Sequence, residues 1–457
     1  MIKQFFILNK KPILIFIIVF AAELTAIFAL SNINGIETFL RGDGRDYENL
    51  ADNLINHKIL AITPGPPYTP TSFRTPIYPF WLALIYLIFN SYNAAIFIGA
   101  FTFALSAPIV YFIGKEIFSE KISTVGAIIF GLEPWALFQS GFIAAEQIFI
   151  PTFLLSVYLF CRYLKLGLTR HLYSAAAILA VAALIRPAAL LFIAIYMFLA
   201  FIFEFKHSFG QSLKKSGLIF LIFVFVLAPW LVRNKIVLNS WQFSSASGIR
   251  VFGDYIMLGK YISKTKPNEL VDIYEEAKKV SGAKNDIEAI TTVENSKKLT
   301  EVALKGIKSN PYSFLKMHFK NMTSFFFKNS YGNIFFDLGI KNSNIQSVIG
   351  GYLSQLKIDK AFEMATKTSS GAKILLVLTL FWPLIIFLTI IGILKLIRQN
   401  EHNLLFWFLM LWMAYFPFLV AWGDISRYKL AIHAPLFLLA AYAIFIIFGY
   451  HKHANNS

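Results

Sequence analysis

Cysteine is almost absent from this chain of 457 residues, in which Cys161 is the single example. One cysteine excludes a disulfide within the chain. Histidine is also sparse, with 8 residues, and neither His318 nor His433 lies in a spacing typical of metal ligands. A metal site built from cysteine and histidine is therefore not expected.

Motifs that cradle phosphate groups or form covalent intermediates are missing as well. The chain has no P-loop, no GxGxxG fingerprint and no Ser-His-Asp signature, and it shows no internal repeat. These absences leave nucleotide-dependent chemistry and serine-hydrolase chemistry without support from the sequence.

Acidic residues are few, because Asp and Glu total 25 against 42 Lys and Arg, which gives a net charge of +17. Apolar residues are abundant at 57%, and the mean hydropathy is +0.61. This composition predicts an integral membrane protein surrounded by membrane lipids. In such proteins Lys and Arg gather in cytoplasmic loops, so the basic excess does not indicate binding to nucleic acid.

Ten apolar runs are long enough to cross a membrane. They cover about residues 12–31, 94–114, 122–141, 146–164, 172–187, 188–205, 216–234, 372–396, 403–422 and 428–448. The first run follows three lysines and is longer than the apolar part of a signal peptide, so we interpret it as an uncleaved signal anchor.

The positions of Lys and Arg predict the topology. With ten crossings, the basic clusters around Lys165, Lys214 and Lys395 all fall in the cytoplasm, together with both termini. If the shorter run 76–90 also crossed, every later cluster would lie outside. We therefore interpret 76–90 as a juxtamembrane or re-entrant helix on the outer face, where protein can cover it.

The predicted fold is an all-α polytopic membrane protein of about ten transmembrane helices. Residues 1–234 form an N-terminal catalytic transmembrane module that contains the first loop, residues 32–93, on the outer face. Residues 235–371, here called the long segment, form an outer-face helical region between spans seven and eight. Residues 372–457 form C-terminal transmembrane helices and a short cytoplasmic tail. The expected location is the inner (plasma) membrane of the cell.

Three acidic residues stand out at the outer face. Asp43 and Asp46 follow the first span, and Glu146 lies at a membrane edge in an otherwise apolar run. A carboxylate can act as a general base, and an ionisable group inside a membrane is usually functional. The alternatives are solvated loop acids or a helix N-cap for Asp43 and Asp46, and a water-facing helix end for Glu146.

Basic residues on the same face are candidates for binding a phosphate. Arg74 follows a proline-rich stretch, Arg186 interrupts a long apolar run just before Pro187, and Arg427-Tyr428 precedes the last span. Arginine donates two parallel hydrogen bonds to phosphate and stays charged. The alternatives are contact with lipid headgroups for Arg74 and a structural ion pair for Arg427.

Several motifs, taken in order along the chain, resemble those of a known family. They are Asp43-Gly-Arg-Asp-Tyr47, Phe73-Arg-Thr-Pro-Ile-Tyr-Pro79, Ala144-Ala-Glu-Gln-Ile-Phe149, Ile185-Arg-Pro187, Pro229-Trp-Leu-Val-Arg-Asn234 and Arg427-Tyr428. The chain is similar to the C-type glycosyltransferases, in the branch of dolichyl-phosphate-mannose–protein mannosyltransferases and bacterial aminoarabinose transferases. The long segment matches that branch only loosely.

The resemblance implies that a sugar moves from a polyprenyl- or dolichyl-phosphate carrier to an acceptor hydroxyl on the outer face. It assigns catalysis to Asp43, Asp46 and Glu146, and binding of the lipid phosphate to Arg74, Arg186, Arg427 and Tyr428. The acceptor would be a glycan, a lipid or a protein. Gly44 stands where many relatives carry a second acid, which argues against a metal site. A divalent metal stays an open alternative, and no other cofactor is assigned.

Two other functions compete with this one. An outer-face polysaccharide ligase or polymerase usually has a long loop rich in Arg and His, whereas the long segment is rich in Lys and poor in His. A transporter or flippase of lipid-linked sugars should show inverted repeats and broken helices in both halves. Here the acids lie on one face instead.

Overall fold

The structure is a computed structural model that describes most of the chain. It covers residues 10–206, 208–263, 272–327, 330–339, 358–367, 373–374, 377–378, 380–399, 403–419 and 425–449. Residues 264–271 of the long segment and residues 420–424 before the last helix lie outside the described residues. So does much of the stretch between 340 and 380.

The described residues are overwhelmingly helical, with 84% in helices and no strand among them. The helices are α1 (Lys10–Asn34), α2 (Asp43–His57), α3 (Ile77–Phe89), α4 (Asn93–Ala104), α5 (Ser106–Ile117), α6 (Glu120–Leu132), α7 (Pro134–Ser140), α8 (Glu146–Leu166), α9 (Thr169–Ile185), α10 (Ile193–Phe205), α11 (Phe209–Leu238), α12 (Ala246–Ser263), α13 (Ile273–Ser281), α14 (Asp286–Thr291), α15 (Val293–Ser309), α16 (Pro311–Phe327), α17 (Tyr331–Asp337), α18 (Ile358–Lys367), α19 (Phe381–Arg398), α20 (Leu404–Leu419) and α21 (Ile425–Ile447). Two 3-10 helices cover Ile36–Leu40 and Pro187–Phe192.

The all-α membrane architecture predicted from the sequence is confirmed, and each predicted run overlaps a helix. Seven helices of the described part are long and apolar enough to cross a membrane, or eight if the bent pair α6 and α7 forms one span. Helices α9 and α20 are shorter, as is α3. The count of ten spans predicted from the sequence is reached only if the bent pair, α9 and α20 all cross.

A sharp bend separates α6 from α7 and turns the chain toward the first loop. The two helices meet at 57°. The carboxylate of Glu133 accepts a hydrogen bond of 2.8 Å from the backbone N–H of Ala136, and Pro134 begins the new helix. A proline at this position has no N–H that would need a partner, so a bend here costs little. The bend brings α7 beneath the loop that carries Asp43.

Small residues allow the membrane helices to approach closely. A Cβ placed on Gly126 would lie 3.2 Å from the Cα of Leu438, and one placed on Gly392 would lie 2.6 Å from the carbonyl oxygen of Leu439. Glycine in such contacts lets backbones pack tightly where lipid offers no hydrophobic drive for association. Helix α21 is thereby held between α6 and α19 and forms the centre of the bundle.

The long segment has a small core of its own and docks on the first loop. Its core residues are Phe252, Ala277, Leu299 and Ala303. The hydroxyl of Thr71 donates to the carbonyl of Thr291 at 2.9 Å, and the hydroxyl of Ser244 donates to the carbonyl of Phe73 at 2.9 Å. These bonds hold the residues just before Arg74 against the long segment.

Gly99 fixes the position of α8, whose first residues are Glu146 and Gln147. A side chain at Gly99 would overlap the carboxamide of Gln147, which accepts a hydrogen bond of 2.8 Å from the hydroxyl of Tyr78. We expect Gly99→Ala to lower the free energy of unfolding by about 1–3 kcal/mol, the usual cost of overpacking. Thermal unfolding of the purified protein in detergent measures this change.

Gly217→Ala is the matched control. Gly217 also lies in a helix, α11, and nothing lies within 4 Å of a Cβ at that position. Alanine there gains helix propensity without a clash, so stability should stay equal or rise. Equal behaviour of the two variants would mean that Gln147 moves aside at no cost.

Candidate functional site

The first loop turns sharply before it presents its two acids. Gly42 has φ +61°, a conformation that favours glycine, and α2 begins at the next residue with Asp43 and Asp46 in its first turn. A Cβ on Gly44 would lie 3.1 Å from the carbonyl oxygen of Ile143. A side chain at position 44 would therefore press on that carbonyl unless Ile143 shifts by a few tenths of an ångström.

Asp43 lies between two arginines that are distant in sequence. Its Oδ1 accepts a hydrogen bond of 2.6 Å from Nη2 of Arg74, and its Oδ2 accepts one of 2.7 Å from Nη1 of Arg427, which is 384 residues away. Asp46 accepts a third bond, of 2.7 Å, from the same Nη2 of Arg74. Two guanidiniums thus hold the Asp43 carboxylate in one orientation.

Glu146 forms the other end of the arrangement. Its side chain is fully buried, and it is paired with both Arg186 and Arg427. Arg427 binds it in a bidentate manner, with Nε donating at 2.5 Å to Oε1 and Nη2 donating at 2.8 Å to Oε2. Since its third nitrogen reaches Asp43, Arg427 links the two carboxylates directly.

Six of the predicted site residues therefore form one connected cluster, here called the arginine–carboxylate network: Asp43, Asp46, Arg74, Glu146, Arg186 and Arg427. Tyr428 belongs to the same region, because the guanidinium carbon of Arg186 lies 4.8 Å from the centre of its ring. The structure thus brings together the seven site residues that the sequence predicted.

The two charges at the Asp43 end of the network reinforce each other. Burial alone would raise the pKa of Asp43, but the positive charges of Arg74 and Arg427 outweigh it and hold that pKa well below the usual range. Burial opposes the charge on Arg74, yet Asp43, Tyr47 and Asp46 raise the pKa of Arg74. Asp43 is thus ionised throughout the physiological range.

A cavity of about 270 Å³ adjoins the network. It is lined by Asp43 and its chain neighbours Arg41, Gly42 and Gly44, by Arg427, and by residues of α7, α17 and the loop after α7. Arg74 and Arg186 are not among its described lining residues. These two arginines instead contact the carboxylates of Asp43 and Glu146, so the cavity meets the network at Asp43 and Arg427.

Several polar residues of this region were not expected from the sequence. Arg41 pairs with Asp337 of the long segment. Arg250 lies with its guanidinium carbon 5.6 Å from the ring of Tyr428. The pKa of Tyr274 is raised by burial and by the nearby charge of Asp43, which places this residue of α13 beside the network. Contacts between residues hundreds of positions apart cannot be predicted from local sequence patterns.

Glu23 is a different omission, because the sequence did carry a signal for it. It interrupts the first apolar run, is fully buried, and neither carboxylate oxygen has a hydrogen-bond partner among the described residues. An acid inside a membrane span is costly and is functional by default. It lies outside the network, and no described contact connects it to Asp43.

A metal ion finds no ready set of ligands in the described part of the chain. No group of three or more His, Cys, Asp or Glu side chains is arranged to hold one. The three carboxylates of the network are each directed at an arginine instead. The donor set therefore does not fit a metal site built from the protein alone.

Comparison with known proteins supports the resemblance found in the motifs. Residues 73–232 match the family described as dolichyl-phosphate-mannose-protein mannosyltransferase. That range contains Arg74, Glu146 and Arg186 of the network. The predicted resemblance to this family is confirmed over those residues, and a comparison with curated proteins gives no match.

Among solved structures, the chain is similar to the oligosaccharyltransferase of Archaeoglobus fulgidus. The structure in complex with an inhibitory peptide and a dolichol-phosphate is 15% identical, with a TM-score of 0.44, and the match covers 96% of this chain and 52% of that one. The form tethered to an acceptor peptide is 14% identical, with a TM-score of 0.42 and coverage of 94% and 50%. This chain thus spans about half the length of those proteins.

Proposed function

We propose that the protein is a membrane glycosyltransferase that moves a sugar from a polyprenyl- or dolichyl-phosphate carrier to an acceptor hydroxyl at the outer face of the plasma membrane. The observation that carries the proposal is the position of Asp43, which is held between Arg74 and Arg427 and faces a cavity. A base and phosphate-binding cations are the two elements that this reaction needs.

The proposed reaction uses these residues in one displacement step. The carboxylate of Asp43 accepts the proton of the acceptor hydroxyl while the hydroxyl oxygen forms a bond to the anomeric carbon of the sugar. The bond between that carbon and the phosphate oxygen breaks, and the lipid phosphate leaves with the bonding electrons. Arg427 and Arg74 stabilise the negative charge that collects on the leaving phosphate.

Arg74 has a donor to spare for such a phosphate. Its Nη2 is bonded to Asp43 and Asp46, whereas its Nε–H has no partner among the described residues. Arg186 has a supporting role in this scheme, because it pairs with Glu146, which in turn orients Arg427 through two hydrogen bonds. Glu146 is thus a positioning residue in this proposal.

A direct assay tests the proposal. The purified protein, reconstituted in lipid nanodiscs, is incubated with a panel of radiolabelled polyprenyl-phosphate sugars and a membrane extract as the source of acceptors. We expect label to pass from the carrier to a product that lacks the carrier. Translocation of the carrier across a vesicle membrane without transfer would indicate a flippase instead, and neither activity with any carrier would overturn the proposal.

Labelling of introduced cysteines can test on which side of the membrane the site lies, because the chain has only one cysteine of its own. Cys161 is buried, so it gives little background with a membrane-impermeant maleimide. We expect Ser91→Cys, at the end of the first loop, to be labelled in intact cells. We expect Arg398→Cys, in the exposed last turn of α19, to be labelled only after the membrane is opened. Labelling of Ser91→Cys only from the inside would reverse the proposed orientation.

A further inference from the structure

The cavity beside Asp43 is lined by a second pair of charges, Arg41 and Asp337. Asp337, from α17 of the long segment, pairs with Arg41 of the first loop through both carboxylate oxygens. The side chain of Asp337 is 5% exposed, and the side-chain amide of Asn34 donates to its backbone carbonyl at 2.5 Å. Two fixed ion pairs, Asp43 with Arg427 and Asp337 with Arg41, therefore bound the same space.

Part of the cavity lining is aromatic. Trp135, Phe138 and Phe142 line the cavity and contact one another, with ring centroids 5.2 Å apart for the first pair and 4.8 Å apart for the second. The guanidinium of Arg41 lies over the ring of Phe142, and its central carbon is 5.0 Å from the centre of that ring. Flat apolar faces suit the C–H face of a sugar ring.

One polar atom of the cavity lining has no hydrogen-bond partner among the described residues. Trp135 is 4% exposed, and its indole N–H donates to no described residue. A buried N–H without an acceptor costs free energy, so an oxygen atom of a ligand would stabilise this position. The amide side chains of Gln139 and Asn333 also line the space.

The size of the cavity and the charges of its lining further restrict which ligands can bind. A volume of about 270 Å³ lies just below the range of roughly 300–1,000 Å³ that is usual for drug-sized ligands. This volume suits one monosaccharide ring. The charges of the lining balance, because Arg41 and Arg427 match Asp337 and Asp43, so a charged ring would upset the balance.

We propose that this cavity binds a single uncharged pyranose ring. Asp337 and Arg41 hold vicinal hydroxyls of the ring, Trp135 donates to a third oxygen, and the reacting carbon of the ring lies beside Asp43. Each carboxylate oxygen of Asp337 keeps a free lone pair beside its bond to Arg41, so it can accept from a hydroxyl. The proposal rests on the proposed function, and the ring is either the donor's sugar or the terminal sugar of a glycan acceptor.

The test compares binding of a polyprenyl-phosphate hexose with binding of bare polyprenyl phosphate, in nanodiscs, by wild type and two variants. Asp337→Asn keeps the shape of the side chain but weakens its hydrogen bonds to hydroxyls, and Trp135→Phe keeps the aromatic face but loses the N–H. We expect Asp337→Asn to weaken binding of the sugar-bearing carrier about tenfold, as is typical for a hydrogen bond that involves a charged group, and Trp135→Phe to weaken it about threefold to tenfold, as is typical for a bond between neutral groups. Binding of bare carrier should not change.

Glu294→Gln is the matched control, since it removes a charge from a mostly exposed acid of the long segment. Should Asp337→Asn fail to fold, Trp135→Phe still decides the question, because it leaves the bridge to Arg41 intact. If the variants instead raise only the KM for a glycan acceptor, the ring belongs to the acceptor. The sugar pocket would be overturned if the variants weakened binding of both carriers equally. It would also be overturned if they changed neither carrier binding nor the KM for the acceptor while wild type transfers sugar.

A failure of the proposed function is distinguishable from a failure of the pocket. In that case wild type neither binds a lipid carrier nor transfers sugar. Saturation-transfer NMR with methyl pyranosides then tests the cavity alone. A signal that Trp135→Phe removes would support the pocket, and the lack of such a signal would overturn it.

Discussion

Asp43→Asn is expected to lower the rate of sugar transfer by about a hundredfold or more, the usual effect of losing a general base. Asparagine has nearly the same shape, but its single side-chain oxygen can accept from only one of Arg74 and Arg427, and it cannot take up a proton. The loss should therefore appear in kcat more than in the affinity for the carrier. Single-turnover assays with a saturating labelled carrier measure it.

Asp52→Asn provides the control for this change. Asp52 lies in the same helix, α2, and accepts a hydrogen bond from the hydroxyl of Tyr92, which asparagine can also accept. Its transfer rate should match that of wild type. A rate for Asp43→Asn within a few fold of wild type would show that another group removes the proton, and Asp46 would be the next candidate because it shares Arg74.

Replacement of Arg427 is expected to have an effect of similar size, and the conservative change should not rescue it. Arg427 uses three nitrogens on two carboxylates, Glu146 and Asp43, at distances of 2.5 to 2.8 Å. Lysine has one nitrogen and cannot span both. We expect Arg427→Lys to lose about a hundredfold in kcat/KM and Arg427→Met about a thousandfold, in the range seen when a charge-stabilising donor is removed.

The acid limb of the pH profile gives a second measure of Arg427→Met. In wild type the pKa of Asp43 lies well below its usual value, because two guanidiniums offset the effect of burial, so kcat/KM should stay level as the pH falls toward about 5. Without Arg427 that pKa rises, and activity should begin to fall at a higher pH. Arg398→Lys, at the exposed end of α19, is the control and should change neither kcat/KM nor the pH at which activity begins to fall. An acid limb of Arg427→Met at the same pH as in wild type would show that Arg427 does not control the pKa of Asp43.

The sequence allowed the face of the membrane to be predicted for each candidate residue, and this was enough to foresee that Arg74 and Arg427 could meet Asp43. Charge clusters order the spans, and a span order assigns each loop to one side. The sequence did not show how the arginines would be used. They were expected to surround a phosphate, whereas in the structure each one is bound to a carboxylate.

Contacts between the first loop and the long segment could not be predicted at all. Arg41 and Asp337 are separated by 296 residues, and neither one has a local pattern that names its partner. Gly44 was read only as a missing acid, whereas the structure explains it by the carbonyl of Ile143 that lies against it. Such pairings arise from the packing of helices in space, which the period and order of residues along one chain do not encode.

The arginine–carboxylate network has equal numbers of positive and negative charges, and this balance affects the proton that Asp43 takes from the acceptor in the proposed reaction. Three guanidiniums face three carboxylates. In the proposed reaction the donor enters as a phosphate diester with one negative charge and leaves as a monoester that can carry two. The additional charge next to Asp43 raises the affinity of that carboxylate for the proton it has just received. Departure of the spent carrier is then linked to deprotonation, so alkaline conditions would speed the release of product even where they leave the chemical step unchanged.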